Sequence, residues 1–230
     1  MKQYNVSIDS RVEGLCVYCG EPATTRDHVP SKAFLDKPYP DNIPVVPCCS
    51  NCNNQFSKDE EYFACVLECL KCNSTDITKL GRDKVKSTLL HTPALLARIE
   101  ICSKDLFNNL PSLQMLNAER QRFDNVIQKL VLGHLFFEHS IINFSDVKWQ
   151  YKVLSTMNDK ELDDFLTPYQ LSIYPEVASR ALHRIMCING ETHLGWEIVQ
   201  PNTYQYCTSA DGSMIKIIIG NYLAIEARIE

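Results

Sequence analysis

Two Cys-x-x-Cys pairs near the N-terminus constrain the fold of this chain more than any other feature. Cys16 and Cys19 form the first pair, Cys49 and Cys52 form the second, and 29 residues separate them. Each pair can form a knuckle that presents two thiolates, and two knuckles complete a tetrahedral site. Because this Pro- and Gly-rich segment offers little other core, the sequence predicts a structural Zn²⁺ held by these four cysteines.

Two neighbouring patterns leave alternatives for the ligand set. Cys48 stands directly before Cys49, but a pair formed with Cys48 would have the spacing Cys-x-x-x-Cys, so Cys49 is the preferred ligand. Cys69-Leu-Lys-Cys72 is a third Cys-x-x-Cys, near the end of a predicted helix and without a fourth knuckle. This third pair is interpreted as packing or as a variant metal site.

The number and clustering of the cysteines indicate the cellular compartment in which the protein is expected to lie. The chain has eleven cysteines in 230 residues, and most fall in its first third. Clustered cysteines fit metal ligation in a reducing compartment better than disulfides. No apolar run is long enough to span a membrane and the N-terminus lacks the apolar segment of a signal peptide, so we expect a cytoplasmic protein. The isolated cysteines are predicted to be small buried apolar residues: Cys102, Cys187 and Cys207.

Between the two knuckles lies an Asp-His step, Asp27-His28, which carries the most chemical interest. A carboxylate can bind a divalent cation, and a neighbouring imidazole can accept a proton from water. Asn53 follows Cys52 directly and can offer an amide oxygen to the same cation, since hard cations prefer oxygen ligands. By chemistry alone, a catalytic centre and a structural Asp-His turn remain open.

The combination of these motifs resembles a known enzyme family. The segment "CVYC … DHVPSKAF … DN … PCCSNCNNQFSK" is similar to the HNH endonucleases of the ββα-metal fold, in the form whose Cys pairs surround an Asp-His-(Val/Ile)-Pro step. The resemblance covers residues 16 to about 62. It implies two strands and a helix pinned by zinc, and an enzyme that hydrolyses phosphodiester bonds in DNA.

The resemblance also implies a role for each matching residue. His28 takes the place of the general base, and Asp27 and Asn53 take the places of ligands to one catalytic Mg²⁺ or Mn²⁺. Asn42 matches the middle Asn, which braces the loop facing the base. Asn54 is an alternative to Asn53 as the ligand at the helix start. Relatives often carry a further His at the position of Ser57.

Partners and setting follow less directly from the sequence. The net charge of −5 argues against a broad basic surface but not against a local one. The densest basic stretch is residues 71–87, which is either a solvated linker or a contact with the DNA backbone. DNA is the expected partner, with RNA and a homodimer as further possibilities, and restriction or phage defence is a plausible setting by analogy. The candidate nucleic-acid-binding side chains in this stretch are Lys79, Arg82, Lys84 and Lys86.

The fold class predicted from these patterns is α+β. Residues 1–75 are expected to form the zinc-bound nuclease module, and residues 76–230 a helical region followed by an antiparallel, β-rich α+β domain for DNA recognition or dimerisation. Helices are predicted at 53–70, 94–107 and 117–139, with a connection over 71–87. The segments predicted as strands are "VKWQYKVLS", "HRIMCI", "HLGWEIVQ", "NTYQYCTS" and "MIKIIIGNYLAIEARI", with "ADGS" as a hairpin turn. A zinc-ribbon binding module without catalysis is the alternative function.

Overall fold

The fold is mixed α+β, as predicted. The computed structural model describes residues 14–41, 43–104, 119–142, 145–171, 173–187 and 194–230. Within these residues it contains six α-helices and two antiparallel sheets, one of two strands and one of five. No described helix combines the length and the apolar character needed to cross a membrane.

The chain divides into two compact units. The first combines the chain up to Asn54 with Gln128–Glu230, and the second is Gln55–Ile127. The predicted boundary after residue 75 therefore falls inside the second compact unit, and the division of function at that residue stays a prediction.

The N-terminal hairpin consists of strand β1, Thr25–His28, and strand β2, Val45–Cys48. The strands are antiparallel, with Asp27 opposite Val46 and His28 opposite Val45. Helix α1, Ser50–Lys71, begins two residues after β2 and includes the predicted helix over 53–70. The order strand, strand, helix is therefore present in the segment that contains both Cys-x-x-Cys pairs.

Helix α4 spans Arg120–His139, and its part from Gln128 onward belongs to the first unit and packs on the N-terminal hairpin. Its glycine, Gly133, lets the two elements approach closely, because a Cβ there would lie 2.6 Å from Val29 Cγ2 and 3.2 Å from the Tyr18 hydroxyl. The buried apolar cluster between them is contributed by both elements and the first knuckle: Val17, Val29, Val46, Leu132, Phe136 and Phe137. The hairpin thus depends on a helix about 80 residues further along the chain.

Two further helices lie in the second unit, α2 at Asp83–His91 and α3 at Pro93–Lys104. The predicted connection over 71–87 is therefore wrong from Asp83 onward. The start of α2 is held by the buried Glu68, whose Oε1 accepts hydrogen bonds from the backbone N–H groups of Gly81 at 2.7 Å and Arg82 at 2.9 Å. The helix predicted over 94–107 is confirmed as far as Lys104, and residues 105–107 of that prediction lie outside the described residues.

The C-terminal part forms a five-stranded antiparallel sheet with the strand order β3-β7-β6-β5-β4. The predicted strand segments account for all five, and the turn predicted at "ADGS" joins two of them. The last predicted segment is two strands rather than one, because Gly220 and Asn221 both have positive φ and turn the chain. The bounds are β3 Val147–Val153, β4 Glu197–Gln200, β5 Tyr204–Thr208, β6 Met214–Ile219 and β7 Leu223–Ile229.

The predicted strand "HRIMCI" is wrong for residues 183–187, which belong to helix α6, Arg180–Cys187, and its last residue lies outside the described residues. Ala181 and Ile185 lie one helical turn apart and are both buried. On another face of the helix, Arg180 and Arg184 both form ion pairs with the buried Glu138 of α4. These long-range ion pairs favour the helix over the strand that the short apolar pattern suggested.

Sequence analysis also missed helix α5, Asp159–Leu166, which begins with a capping box between Asn158 and Glu161. Of the isolated cysteines, Cys207 is buried as predicted. The side chains of Cys102 and Cys187 lie outside the described residues.

Candidate metal centre

The four predicted zinc ligands come together at one end of the N-terminal hairpin. The Sγ atoms of Cys16, Cys19, Cys49 and Cys52, here called the cysteine quartet, all lie within 4.8 Å of one another. Zn–S bonds of about 2.3 Å in a tetrahedron require sulfur atoms roughly 3.8 Å apart. The Cys19 and Cys49 Sγ atoms are 3.7 Å apart, so the quartet fits a zinc ion.

Local backbone geometry explains why the knuckles form. The first knuckle is closed by hydrogen bonds from the backbone N–H of Cys16 to the Glu21 carbonyl and from Gly20 to the Cys16 carbonyl. Gly20 has φ +76°, which favours glycine. The second knuckle lies at the start of α1, where the Cys52 backbone N–H points at Cys49 Sγ, 3.4 Å away. This hydrogen bond lowers the pKa of the Cys49 thiol to about 7, which favours the thiolate that binds metal.

The structure also decides between the adjacent cysteines. Cys48 is fully buried, and its thiol donates to the Cys49 carbonyl at 3.2 Å instead of joining the quartet. Burial raises the pKa of Cys48, so this thiol stays protonated. Cys49 is therefore the member of the quartet, as its spacing predicted.

The third Cys-x-x-Cys does not contribute to this centre. Cys69 is buried, and burial raises its pKa to about 12. The thiol of Cys72 donates to Glu68 Oε1 at 3.4 Å. Apart from the quartet, no group of three or more His, Cys, Asp or Glu side chains in the described part of the chain gathers closely enough to hold an ion.

Asp27 lies on the inner face of the hairpin and is only 6% exposed. Its Oδ2 atom forms an ion pair with Lys129 Nζ of α4 at 2.8 Å and accepts a hydrogen bond from the Tyr18 hydroxyl at 2.9 Å. Lys129 is itself 1% exposed. The carboxylate therefore does not fit a vacant site for Mg²⁺ or Mn²⁺, because an ion would have to share Asp27 with the ammonium group or displace it.

His28 is half-buried at the end of β1, and successive strand residues project to opposite faces, so it points away from Asp27. Burial and the positive charge of Lys32 hold the pKa of His28 below its ordinary value of 6.5, with a smaller contribution from Lys129, while Asp27 acts in the opposite direction. The imidazole is therefore neutral at pH 7 and able to accept a proton.

The other residues that the resemblance assigns to the catalytic centre lie on α1 or outside the described residues. Asn53 lies in the first turn of α1, and its side-chain amide donates to Thr25 Oγ1 at 3.3 Å, which ties the helix to β1. Asn54 and Ser57 are exposed on α1. Asn42 lies outside the described residues.

The predicted basic segment belongs to the second unit. Lys79 forms an exposed ion pair with Asp76 at 3.9 Å, and Lys86 forms one with Asp83 at 3.3 Å. Lys84 is exposed, and the backbone of Arg82 is bonded to Glu68. Neighbouring carboxylates thus offset part of the positive charge on which the predicted contact with nucleic acid depends.

Sequence reasoning missed Lys129 and Tyr18, which are the partners of Asp27 among the described residues. A signal for Lys129 existed, because it is the one charged residue within the apolar stretch "VIQKLVLGHLFF", and a lysine in such a stretch needs a buried partner. Its partner stands 102 positions earlier in the chain, so spacing alone did not reveal the pair. Comparisons with protein-family models, with curated proteins and with solved structures find no match for this chain.

Proposed function

We propose that this protein is a metal-dependent endonuclease of the HNH kind that hydrolyses phosphodiester bonds in DNA. The observation that carries the proposal is the neutral His28 at the end of β1, in a strand-strand-helix unit whose ends are joined by the cysteine quartet. A general base for hydrolysis at neutral pH needs a pKa that leaves it unprotonated, and His28 meets this requirement. The ββα-metal resemblance in the same residues supplies the reaction class.

In the proposed reaction, His28 takes a proton from a water molecule as the water oxygen forms a bond to phosphorus. The bond from phosphorus to the leaving sugar oxygen breaks, and that oxygen takes a proton from solvent. The resemblance assigns a Mg²⁺ or Mn²⁺ ion to Asp27 and Asn53, where it would neutralise charge at the phosphate. Because Lys129 is paired with Asp27, such an ion would have to share that carboxylate with the ammonium group or displace it. Asn42 is proposed to brace the loop opposite the base.

The role of the basic segment and of residues 76–230 remains part of the proposal. Lys79, Arg82, Lys84 and Lys86 would contact the DNA backbone, and the later part of the chain would recognise DNA or form a homodimer. RNA is the alternative substrate. Restriction or phage defence would be the cellular setting.

Plasmid cleavage by the zinc-loaded protein, with and without Mg²⁺ or Mn²⁺, tests the proposal. His28→Ala should lower the cleavage rate by about 10²–10⁴-fold while zinc content and circular dichroism stay unchanged. His91→Ala removes an exposed histidine elsewhere and is the matched control. Because burial and the charge of Lys32 hold the pKa of His28 below 6.5, the parent's rate should fall to half its maximum only at a pH below 6.5. Cleavage by His28→Ala at the parent's rate would reject the proposal.

A zinc-stabilised nucleic-acid-binding module without catalysis is the second candidate. The ion pair between Asp27 and Lys129 favours it, because the expected ion ligand is already neutralised inside the protein. In that case the parent and His28→Ala would bind DNA equally in a gel-shift assay, and neither would cut it with Mg²⁺ or Mn²⁺.

A further inference from the structure

We propose that Lys129 is the resident counter-cation of Asp27 and that its ammonium group competes with a divalent ion for this carboxylate. The inference rests on the proposed function, in which Asp27 is an ion ligand, and it adds a residue that controls loading of the ion. It starts from the ion pair of 2.8 Å between Lys129 Nζ and Asp27 Oδ2.

Lys129 reaches Asp27 because the spacing of residues along α4 matches the spacing along the hairpin strand that it covers. Gly133 faces Val29, and Lys129, one helical turn earlier, faces Asp27, two strand residues earlier. Four helix residues and two strand residues both advance by roughly 6 Å, so the two contacts keep the same register. The close approach at Gly133 holds the helix where the lysine reaches the carboxylate.

Burial makes this pair different from an exposed ion pair. Asp27 is 6% and Lys129 is 1% exposed, so water screens their interaction little. The Tyr18 hydroxyl bonds the same Oδ2 atom and fixes the carboxylate further. Removing the lysine alone would leave a buried anionic group without its cation, which is a strongly unfavourable state.

A small divalent ion is the ligand whose chemistry meets that need. Its charge would replace that of the ammonium group, and carboxylate oxygen is a preferred ligand of Mg²⁺ and Mn²⁺. While Lys129 stays in place, its charge repels such an ion across a few ångströms of poorly screened protein. Loading of the ion at Asp27 is therefore weak until the lysine moves away or is neutralised.

Mn²⁺ binding to the full-length, zinc-loaded protein tests this without DNA, by following the electron paramagnetic resonance signal of free Mn²⁺. Lys129→Met keeps the length of the side chain and removes its charge, so it should bind Mn²⁺ more than roughly tenfold tighter than the parent. Lys129→Arg keeps the charge and should bind as weakly as the parent. The double variant Asp27→Asn/Lys129→Met should lose the gain. Lys148→Met removes the lysine of a surface ion pair with Glu230 and is the matched control.

Equal Mn²⁺ affinity in Lys129→Met and the parent would overturn the proposal. If Lys129→Met is poorly folded without ion, Mn²⁺ should raise its melting temperature by binding linkage and leave that of the parent unchanged. No rise would also overturn it. If Lys129→Met binds Mn²⁺ tightly but neither it nor the parent cleaves DNA, the competition at Asp27 is supported and the nuclease proposal is rejected. If the parent cleaves DNA but Lys129→Met binds Mn²⁺ no more tightly than the parent, the nuclease proposal is supported and the competition is rejected.

Discussion

Acidification should destabilise the first compact unit through two buried histidines of α4. His134 is fully buried against the rings of Tyr204 and Tyr206, and burial, with a contribution from the charge of Arg180, lowers its pKa to about 3. His139 is 1% exposed, and burial lowers its pKa to about 4, although Asp211 acts in the opposite direction. Both side chains are therefore neutral in the folded protein at pH 7.

The sign of the effect follows from the lower pKa in the folded state. The unfolded chain, with histidine pKa values near 6.5, takes up protons first, so the stabilisation is complete above pH 6.5 and is lost as the pH falls toward about 4 and about 3. At pH 5 the loss is about 2 kcal/mol for each histidine, or about 4 kcal/mol for both. His134 also lacks an acceptor for a second N–H, since its Nδ1 atom has no hydrogen-bond partner among the described residues.

Urea unfolding at pH 8 and pH 5, followed by tryptophan fluorescence, measures this loss. Acid also protonates cysteine thiolates and weakens zinc binding, so the informative quantity is the difference between parent and variant. His139→Gln can keep a hydrogen bond to Thr208 and should reduce the loss between pH 8 and pH 5 by about 2 kcal/mol. His91→Gln, at an exposed site, should leave the loss unchanged. A loss in His139→Gln as large as that of the parent would refute the reasoning.

Three further changes test the packing and the metal centre. Cys16→Ser should lower zinc content below one ion per chain and unfold the N-terminal hairpin, as measured by elemental analysis and circular dichroism, because metal binding energy is folding energy at such a site. Gly133→Ala should destabilise by about 1–3 kcal/mol despite the better helix propensity of alanine, since its Cβ would overlap Val29, whereas Gly195→Ala, in open space, should be nearly neutral in thermal unfolding. Glu68→Ala should cost about 1–3 kcal/mol in the same assay by leaving two backbone N–H groups at the start of α2 without their acceptor.

The cysteine quartet was predictable from sequence because its information is local. A Cys-x-x-Cys spacing largely determines the knuckle, and the choice of Cys49 over Cys48 needed only that spacing. The strands of the C-terminal sheet were recognisable for a similar reason, since apolar and β-branched runs separated by turn residues identify strands without knowledge of their partners.

The errors and omissions have the opposite cause. The segment "HRIMCI" has a short apolar pattern that fits a strand, but Arg180 and Arg184 bind Glu138, more than 40 residues earlier, and these pairs match a helical spacing. The environment of Asp27 likewise depends on a residue that is distant in sequence, Lys129. The motif predicted that Asp27 binds an ion, and only the folded chain shows that a lysine already neutralises its charge.

The separation of the hairpin from its covering helix has a consequence for biosynthesis. The last cysteine of the quartet, Cys52, is synthesised 87 residues before the end of α4 at His139. At bacterial or eukaryotic elongation rates this interval lasts roughly 4–17 s. During this interval α4 is not yet present to cover the side chains of Val29, Val46 and Asp27. Capture of Zn²⁺ by the nascent chain is the event that can organise the hairpin during that time, so zinc supply during translation should govern the yield of folded protein.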